Sequence, residues 1–202
     1  MTTLDEDVHV AAMQSGAYDI LKAAGRPLVG IDMRIVDAVG NEVPLGEGGE
    51  VIVRGPNVTP GYLNRPEENA VAFRDGWFHT GDIGRMDASG FMYLLDRKKD
   101  MIVTGGENVY SSEVEAALYQ HDNVHECAVV GVPDDKYGEA LFAAIVPRPG
   151  TRLTDSEIVD HCRGLIGGYK IPRRMVFLTE LPKSAMGKIL KTEIRKIYGD
   201  KT

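Results

Sequence analysis

The chain has 202 residues, enough for one large domain or two small ones with a buried core. Its composition is 43% hydrophobic and 26% charged, as in globular proteins, and the 23 glycines predict many tight turns. The formal net charge of -7 argues against a dedicated nucleic-acid binder. Two cysteines are too few for a disulfide scaffold, and no apolar stretch approaches the roughly 18 residues of a membrane span. A cytoplasmic protein without a membrane span is expected.

Charge is distributed unevenly along the chain. Residues 1–100 hold 10 basic and 16 acidic groups, net -6, and residues 101–162 hold 3 and 11, net -8. Residues 163–202 hold 10 basic and 3 acidic groups, net +7, and include Lys201. Such a basic segment is either the solvated face of a terminal helix or a site for phosphates, and both interpretations stay open at this point.

The first half of the chain, residues 28–95, is predicted to be β structure. Alternating segments such as residues 33–36 and 50–54 are separated by clusters of Gly, Pro, Asn and Asp. Residues 46–49, Gly-Glu-Gly-Gly, are interpreted as a turn because no strand-loop-helix pattern surrounds them, as a phosphate-binding loop requires.

The period becomes helical from residue 111 onward. Ser112 and Glu115 have the spacing of a capping box, and Thr154 and Glu157 repeat it before a second helix. Between these helices, apolar runs at residues 127–132 and 141–146 predict two strands that form a hairpin or lie as neighbours in a sheet. A short strand at 175–178 and a final helix complete an α+β layout that follows the mostly-β segment.

A few polar stretches stand apart from the turns and the core. Asp82 follows a glycine, and a carboxylate accepting from two neighbouring hydroxyls commonly holds a ribose, although an Asx turn is the alternative interpretation. Residues 96–100 are five consecutive charged residues between apolar runs, which indicates a solvated loop or an interdomain joint. Residues 105–108 begin with two glycines, which either turn the chain or let a ligand approach the backbone.

Two further patterns suggest ligands less directly. Residues 182–189 do not form a P-loop, because Ile189 stands where a magnesium-binding Ser or Thr is needed, but their two lysines lie on a glycine-containing loop that could reach an active site. His121 and His125 have metal-ligand spacing, yet the Asp-Asn pair between them predicts a turn, so no metal site is predicted.

Taken in order and spacing, these stretches resemble the C-terminal part of the acyl-CoA synthetases of the adenylate-forming, AMP-binding superfamily. The resemblance implies an α+β fold in which a mostly-β, distorted barrel-like subdomain precedes a small, mobile α+β domain. The matching stretches are Gly-Arg-Pro at 25–27, Gly-Glu-Val-Ile-Val-Arg-Gly at 49–55, Gly-Tyr-Leu-Asn-Arg-Pro-Glu at 61–67, Thr-Gly-Asp at 80–82, Asp-Arg at 96–97, Gly-Gly-Glu-Asn-Val-Tyr at 105–110 and Gly-Lys at 187–188.

The resemblance also implies a two-step reaction. A carboxylic acid, expected to be a fatty acid, reacts with ATP to give an acyl-adenylate and pyrophosphate, and the adenylate then acylates coenzyme A. Asp82 and Arg97 match the residues that contact the nucleotide ribose, and Lys188 matches the catalytic lysine of adenylation. Lys99 lies at the family's hinge position. Mg²⁺ is expected with ATP, with its ligands outside these residues.

For coenzyme A, the resemblance assigns residues of the second half of the chain. Gly105 and Gly106 match the glycine pair that lines the pantetheine tunnel. Tyr137, Tyr169 and Arg173 fall near positions that hold the adenine and phosphates of coenzyme A. The implied domains are residues 1–98, the end of the N-terminal AMP-binding domain, and residues 99–202, the C-terminal domain.

One departure from the family concerns the nucleotide site. The family's phosphate-binding loop, adenine-binding segment and acyl pocket have no counterpart in these 202 residues. We therefore expect a C-terminal fragment that is inactive without the N-terminal portion of the enzyme. A carrier-protein-loading adenylation domain is a second hypothesis, although residues 97–106 favour the CoA ligases. The third hypothesis is a non-catalytic nucleotide- or CoA-binding module.

Overall fold

The computed structural model describes residues 1–199, so Lys201 of the basic segment lies outside the described residues. The chain divides into two compact units, one spanning Met1–Lys99 and one beginning at Asp100. Because each unit has its own sheet and core, each is described by itself.

The first unit is built around strand β6 (Trp77–Met86), which pairs antiparallel with β4 (Gly49–Arg54) along one edge. Along its other edge, β6 pairs with β5 (Phe73–Arg74) and β7 (Met92–Arg97). Strand β3 extends this sheet beyond β4, and β1 and β2 form a separate two-stranded ribbon. The elements are β1 (Thr2–Thr3), α1 (Glu6–Ser15), β2 (Arg26–Pro27), β3 (Asp32–Val36), β4 (Gly49–Arg54), α2 (Pro66–Ala72), β5 (Phe73–Arg74), β6 (Trp77–Met86) and β7 (Met92–Arg97).

The β prediction for residues 28–95 is confirmed except at α2. A proline in the first turn and two glutamates after it favour a helix start there, because proline needs no amide partner and acids interact well with the helix dipole. The core of the unit comes from alternating strand positions, with Ile35, Val51, Val53 and Met92 buried together.

The second unit contains a five-stranded sheet with β11 at its centre. Strand β11 (Gly138–Pro147) pairs antiparallel with β10 (Val124–Asp134) over nearly its whole length. It also pairs parallel with β12 (Arg174–Phe177), and with β8 (Ile102–Thr104) at one end. The elements are β8 (Ile102–Thr104), β9 (Glu107–Val109), α3 (Ser111–Tyr119), β10 (Val124–Asp134), β11 (Gly138–Pro147), α4 (Asp155–Arg163), β12 (Arg174–Phe177) and α5 (Lys191–Tyr198).

The β10–β11 hairpin is buried on both faces. Alternate residues such as Val129 and Ile145 pack with Leu118 of α3 and Ile158 of α4. The intervening residues, such as Phe142 and Ala144, pack on the other face with Ile194 of α5. This explains why both strands are almost continuously apolar rather than alternating in hydropathy. The α+β fold class, the hairpin, the strand near residues 175–178 and the final helix are all confirmed.

The two predicted capping boxes have different outcomes. At α4 the prediction is confirmed, because Thr154 Oγ1 accepts from the Glu157 amide and Glu157 Oε2 accepts from the Thr154 amide at 2.8 Å. At α3 it is wrong: Ser112 as N-cap would start the helix at Glu113, but the helix starts two residues earlier, at Ser111, and has no side-chain cap. Glu115 instead accepts from the Val129 amide at 2.7 Å and lies 2.7 Å from Lys191 Nζ. These tertiary partners occupy the glutamate that the predicted capping box requires.

Helix lengths bear on membrane insertion. Within residues 1–199 no helix is long and apolar enough to cross a bilayer.

Candidate functional site

A bulge in β6 presents Asp82. On β4, Ile52 is paired with His79 and Glu50 with Ile83. Val51, the one residue between Glu50 and Ile52, therefore lies opposite residues 80–82 of β6. Gly81 adopts a left-handed φ of 69°, which an L-residue rarely takes. The Thr80 hydroxyl holds the bulge, since it donates to the Val51 carbonyl at 2.8 Å and accepts from the Asp82 amide at 3.1 Å. Asp82 therefore lies within a strand and not in an Asx turn.

The structure brings Asp82 and Arg97 together. They are direct partners on β6 and β7, and Arg97 Nε lies 3.0 Å from Asp82 Oδ1. The Asp82 side chain is 27% exposed and that of Arg97 is 55% exposed. One carboxylate oxygen and part of the guanidinium thus stay available to a ligand. Such a pair can accept from hydroxyls and donate to oxygens of the same molecule.

Sequence analysis missed Glu50, which lies directly behind this bulge. Among the described residues, Glu50 is the one charged residue that is buried, with 7% of its surface exposed. Its Oε2 accepts from Lys98 Nζ at 2.9 Å and lies 3.1 Å from His79 Nδ1. The sequence does contain a signal for it: Glu50 directly precedes the β-branched residues 51–53, and a carboxylate in a buried strand needs hydrogen-bond partners.

The hydrogen-bond chemistry of His79 follows from its neighbours. Its Nδ1 lies 3.1 Å from Glu50 Oε2 and 2.9 Å from an Arg74 guanidinium nitrogen. A ring nitrogen carries either a proton or a lone pair, so it can bond only one of them. We assign the proton to Nδ1, because the buried carboxylate needs a donor whereas the exposed Arg74 has access to water.

Positive charge collects around this carboxylate. Burial alone would raise the pKa of Glu50, but the hydrogen bonds from Lys98 and His79 outweigh it and hold that pKa below its ordinary value of 4.5. A cavity of about 420 Å³ opens beside Glu50, and an excess of cations in its wall suits an anionic ligand. Its charged wall consists of Glu50, Arg74, His79, Arg97, Lys98 and Lys99.

The charged segment 96–100 is not a loop throughout. Strand β7 continues to Arg97, and a single 3-10 turn follows at Lys98–Asp100. Lys99 is exposed and ends the first unit. Asp100 begins the second unit and accepts from Arg195 of α5 at 2.9 Å.

In the second unit, four of the five residues predicted to contact coenzyme A lie together. Gly105 and Gly106 form the left-handed turn between β8 and β9, with φ of 60° and 86°. The Gly105 amide donates to the Tyr137 carbonyl at 2.9 Å, and the Arg173 guanidinium lies 3.8 Å from the centre of the Tyr137 ring. The hydrogen bond with Lys136 lowers the pKa of Tyr137 below its ordinary value, and the positive charge of Arg173 lowers it further. This surface combines an aromatic face, a cation and exposed backbone.

The structure places Tyr169 and Lys188 on other segments. Tyr169 lies in the 3-10 turn Gly168–Lys170 and is 45% exposed, with Lys170 Nζ 5.6 Å from its ring centre. Lys188 is exposed and ends a tight turn in which the Ser184 amide donates to the Lys188 carbonyl at 2.8 Å. The second lysine of this loop, Lys183, is held by Glu126 at 2.6 Å.

The histidines with metal-ligand spacing show a different arrangement. The ring of His121 meets that of His161 edge to face at 5.0 Å, and His125 is exposed on β10. Within residues 1–199 no group of three or more His, Cys, Asp or Glu side chains is placed to hold a metal ion.

Two family models match this chain. Residues 6–63 match the family described as AMP-binding enzyme, and residues 113–188 match the AMP-binding enzyme C-terminal domain. Feruloyl-CoA synthase of Amycolatopsis sp is 46% identical over 177 residues, which are 88% of this chain and 36% of that protein. The chain therefore spans about a third of the length of that relative.

Solved structures give the same result. An o-succinylbenzoate CoA synthetase from Bacillus subtilis, in complex with its acyl-adenylate intermediate, superposes with a TM-score of 0.83 at 36% identity, covering 96% of this chain and 38% of that one. ATP-bound MatB from Rhodopseudomonas palustris gives 0.82 at 37% identity, covering 89% and 36%.

These matches show that the chain belongs to the AMP-binding enzyme family. Within this family the chain is related to the CoA ligases, and the predicted resemblance to the C-terminal part of an acyl-CoA synthetase is confirmed.

The lowered pKa of Glu50 leads to a prediction about acid stability. A carboxylate whose pKa is lower in the folded state stabilises that state above its unfolded pKa, and the contribution is lost as pH falls through the folded value. We expect urea unfolding to show Glu50→Gln destabilising the first unit at pH 7 and the difference from the parent chain shrinking below pH 4.5.

Glu42→Gln is the matched control, since Glu42 is exposed and lies 3.9 Å from Arg34 of the same sheet. Its effect should be small at both pH values. A Glu50→Gln difference that is equal at pH 7 and at pH 3 would contradict the assignment.

Proposed function

We propose that this chain forms the ribose-contacting and thioester-forming part of an ATP-dependent acid–CoA ligase. The observation that carries the proposal is the Asp82–Arg97 pair, whose atoms lie 3.0 Å apart beside the β6 bulge, with the Asp82 side chain partly exposed. ATP and a carboxylic acid would give an acyl-adenylate and pyrophosphate, and coenzyme A would then take the acyl group.

Three residues have proposed roles in adenylation. Asp82 accepts hydrogen bonds from the ribose hydroxyls, and Arg97 donates to the same sugar while holding the carboxylate in place. Lys188 neutralises charge as the acid's carboxylate attacks the α-phosphate, where two anions would otherwise repel each other. Its exposed position at the end of a tight turn leaves its ammonium group accessible to a ligand.

The second half-reaction is assigned to the second unit. Gly105 and Gly106 would line the path of pantetheine, and Tyr137 with Arg173 would contact the nucleotide end of coenzyme A, together with Tyr169. Lys99 is proposed as the hinge about which the C-terminal domain, residues 99–202, turns between the half-reactions relative to residues 1–98.

The acid is proposed only as a class. The sequence prediction of a fatty acid has no specific support among the relatives, whose names refer to ferulate and o-succinylbenzoate. An aryl-substituted carboxylate is therefore the better-supported candidate. Magnesium would accompany ATP, and because residues 1–199 hold no metal-binding cluster we assign it no ligand in this chain.

A nucleotide analogue tests the role of Asp82. We expect the 202-residue chain to bind AMP more tightly than 2′,3′-dideoxyadenosine monophosphate in ligand-observed NMR titrations, because the analogue lacks the hydroxyls that Asp82 accepts from. Asp82→Ala should weaken AMP binding about tenfold and abolish the discrimination.

The matched control is Asp32→Ala, which removes a carboxylate that lies 2.7 Å from Arg54 in the same unit. Its discrimination between the two nucleotides should equal that of the parent chain. Discrimination that survives in Asp82→Ala, or is missing in the parent chain, would sink the proposed ribose contact.

Pyrophosphate release tests how much of the reaction this chain supports. We expect none that depends on added hexanoate, palmitate, ferulate or o-succinylbenzoate, because the 202 residues lack the phosphate-binding loop that positions ATP. Acid-dependent release that disappears in Lys188→Ala but persists in Lys196→Ala would contradict this expectation. In a longer protein that includes the loop, Lys188→Ala should slow release about 10²-fold to 10³-fold, and the same acids would identify the substrate class.

Coenzyme A binding tests the second unit. We expect its dissociation constant to rise steeply between about 50 and about 300 mM NaCl, because contacts between exposed charges are screened. Arg173→Ala should flatten that dependence, whereas Arg152→Ala, which alters an exposed arginine of the same unit, should not. Salt-insensitive binding, or equal behaviour of the two variants, would overturn the assignment of Arg173. Binding without ligation in the longer protein would favour the non-catalytic module.

A further inference from the structure

Glu50 has no role in the proposed chemistry, yet it is tied to both segments that carry the ribose site. Its carboxylate contacts His79, three residues before Asp82 on β6, and Lys98, the residue directly after Arg97. Both contacts end on the same oxygen, Oε2. This oxygen therefore links His79, just before the β6 bulge, with Lys98, just after the end of β7.

We propose that Glu50 is a positioning residue for the Asp82–Arg97 pair. This inference rests on the proposed function, because the pair matters only if it holds a ligand. The carboxylate contacts neither member of the pair. It acts through His79 and Lys98, whose side chains it holds beneath the bulge.

The backbone explains why such a device is needed. The bulge places residues 80–82 of β6 opposite the single residue Val51, so the ladder between β4 and β6 does not hold them one by one. On the β7 side, Asp82 is the one of these three residues with a ladder partner, Arg97. The side-chain hydroxyl of Thr80 bonds Val51 on one side and Asp82 on the other. On the β7 side, the register with β6 shifts between Ile83 and Gly84, so the ladder is interrupted there as well.

Position and charge make Glu50 suited to this function. Burial makes an unpaired carboxylate costly, so Glu50 holds its donors more firmly than an exposed residue would. The charged and titratable side chains bonded to it are Lys98 and His79. Arg74, Arg97 and Lys99 lie on the wall of the same cavity. An exposed ion pair elsewhere on the sheet, such as Arg54–Asp32, has no comparable hold on the backbone.

Hydrogen exchange on the ligand-free 202-residue chain tests the proposal. In Glu50→Gln we expect the Asp82 amide and the Arg97 Nε proton to exchange at least about tenfold faster, because the bonds that hold them open more often. Amides of β3 should accelerate by no more than the loss of stability measured by urea unfolding predicts, and by less than the Asp82 and Arg97 protons. A purely structural role would instead accelerate exchange across the whole sheet.

Variants of Lys98 keep the test decisive if Glu50→Gln does not fold. Lys98 is about half exposed, so Lys98→Met should leave the fold intact while accelerating exchange at the same two protons. Lys98→Arg retains a donor for Glu50 and should restore slow exchange. Lys22→Met removes an exposed lysine ion-paired to Asp19 and should change neither proton.

The outcomes separate the two proposals. Localised acceleration in Lys98→Met, reversed in Lys98→Arg, supports the positioning function even if AMP does not bind. Unchanged exchange at Asp82 and Arg97, or acceleration spread evenly over β3 to β7, overturns it. Failure of the parent chain to distinguish AMP from its dideoxy analogue counts against the proposed function alone, because the exchange measurement involves no nucleotide.

Discussion

The buried carboxylate of Glu50 is the constraint on which the candidate ribose site depends. A charge removed from water destabilises the fold unless donors surround it, so β4 must bring it to Lys98 and His79. Meeting that requirement draws the end of β7 against the bulged part of β6. The partly exposed pair of Asp82 and Arg97 lies on the neighbouring residues of these two strands. A stability requirement and a binding geometry therefore share one set of hydrogen bonds.

The second unit depends on a different constraint, the burial of both faces of one hairpin. Because β10 and β11 are apolar on each side, helices must cover each side. The hairpin also positions the candidate coenzyme A residues. Tyr137 lies in its turn, Gly105 bonds the Tyr137 carbonyl, and the Arg173 amide donates to Leu141 just before β12 pairs with β11. Residues from three segments meet at one end of the sheet for this reason.

Prediction from sequence succeeded where the signal was local. The capping box at Thr154 needs only residues within one helical turn, and the hairpin needs only two apolar runs joined by a polar turn. It failed at Ser112 and Glu115, which have the same spacing, because Val129 and Lys191 compete for the glutamate. Local spacing cannot register a partner that lies far along the chain.

The sequence by itself determined the α+β class, the motifs that identify the superfamily, and the candidate residues Asp82, Arg97 and Lys188. These follow from residue types and their order, which are fully present in a linear chain. Only the tertiary structure decided that Asp82 meets Arg97 across a strand pair, that Tyr137 meets Arg173, and that Glu50 is buried. Glu50 and Lys98 are 48 positions apart, and nothing in local propensity joins residues at that separation. Their contact arises because sheet register and bulges, set by the packing of the whole unit, bring them together.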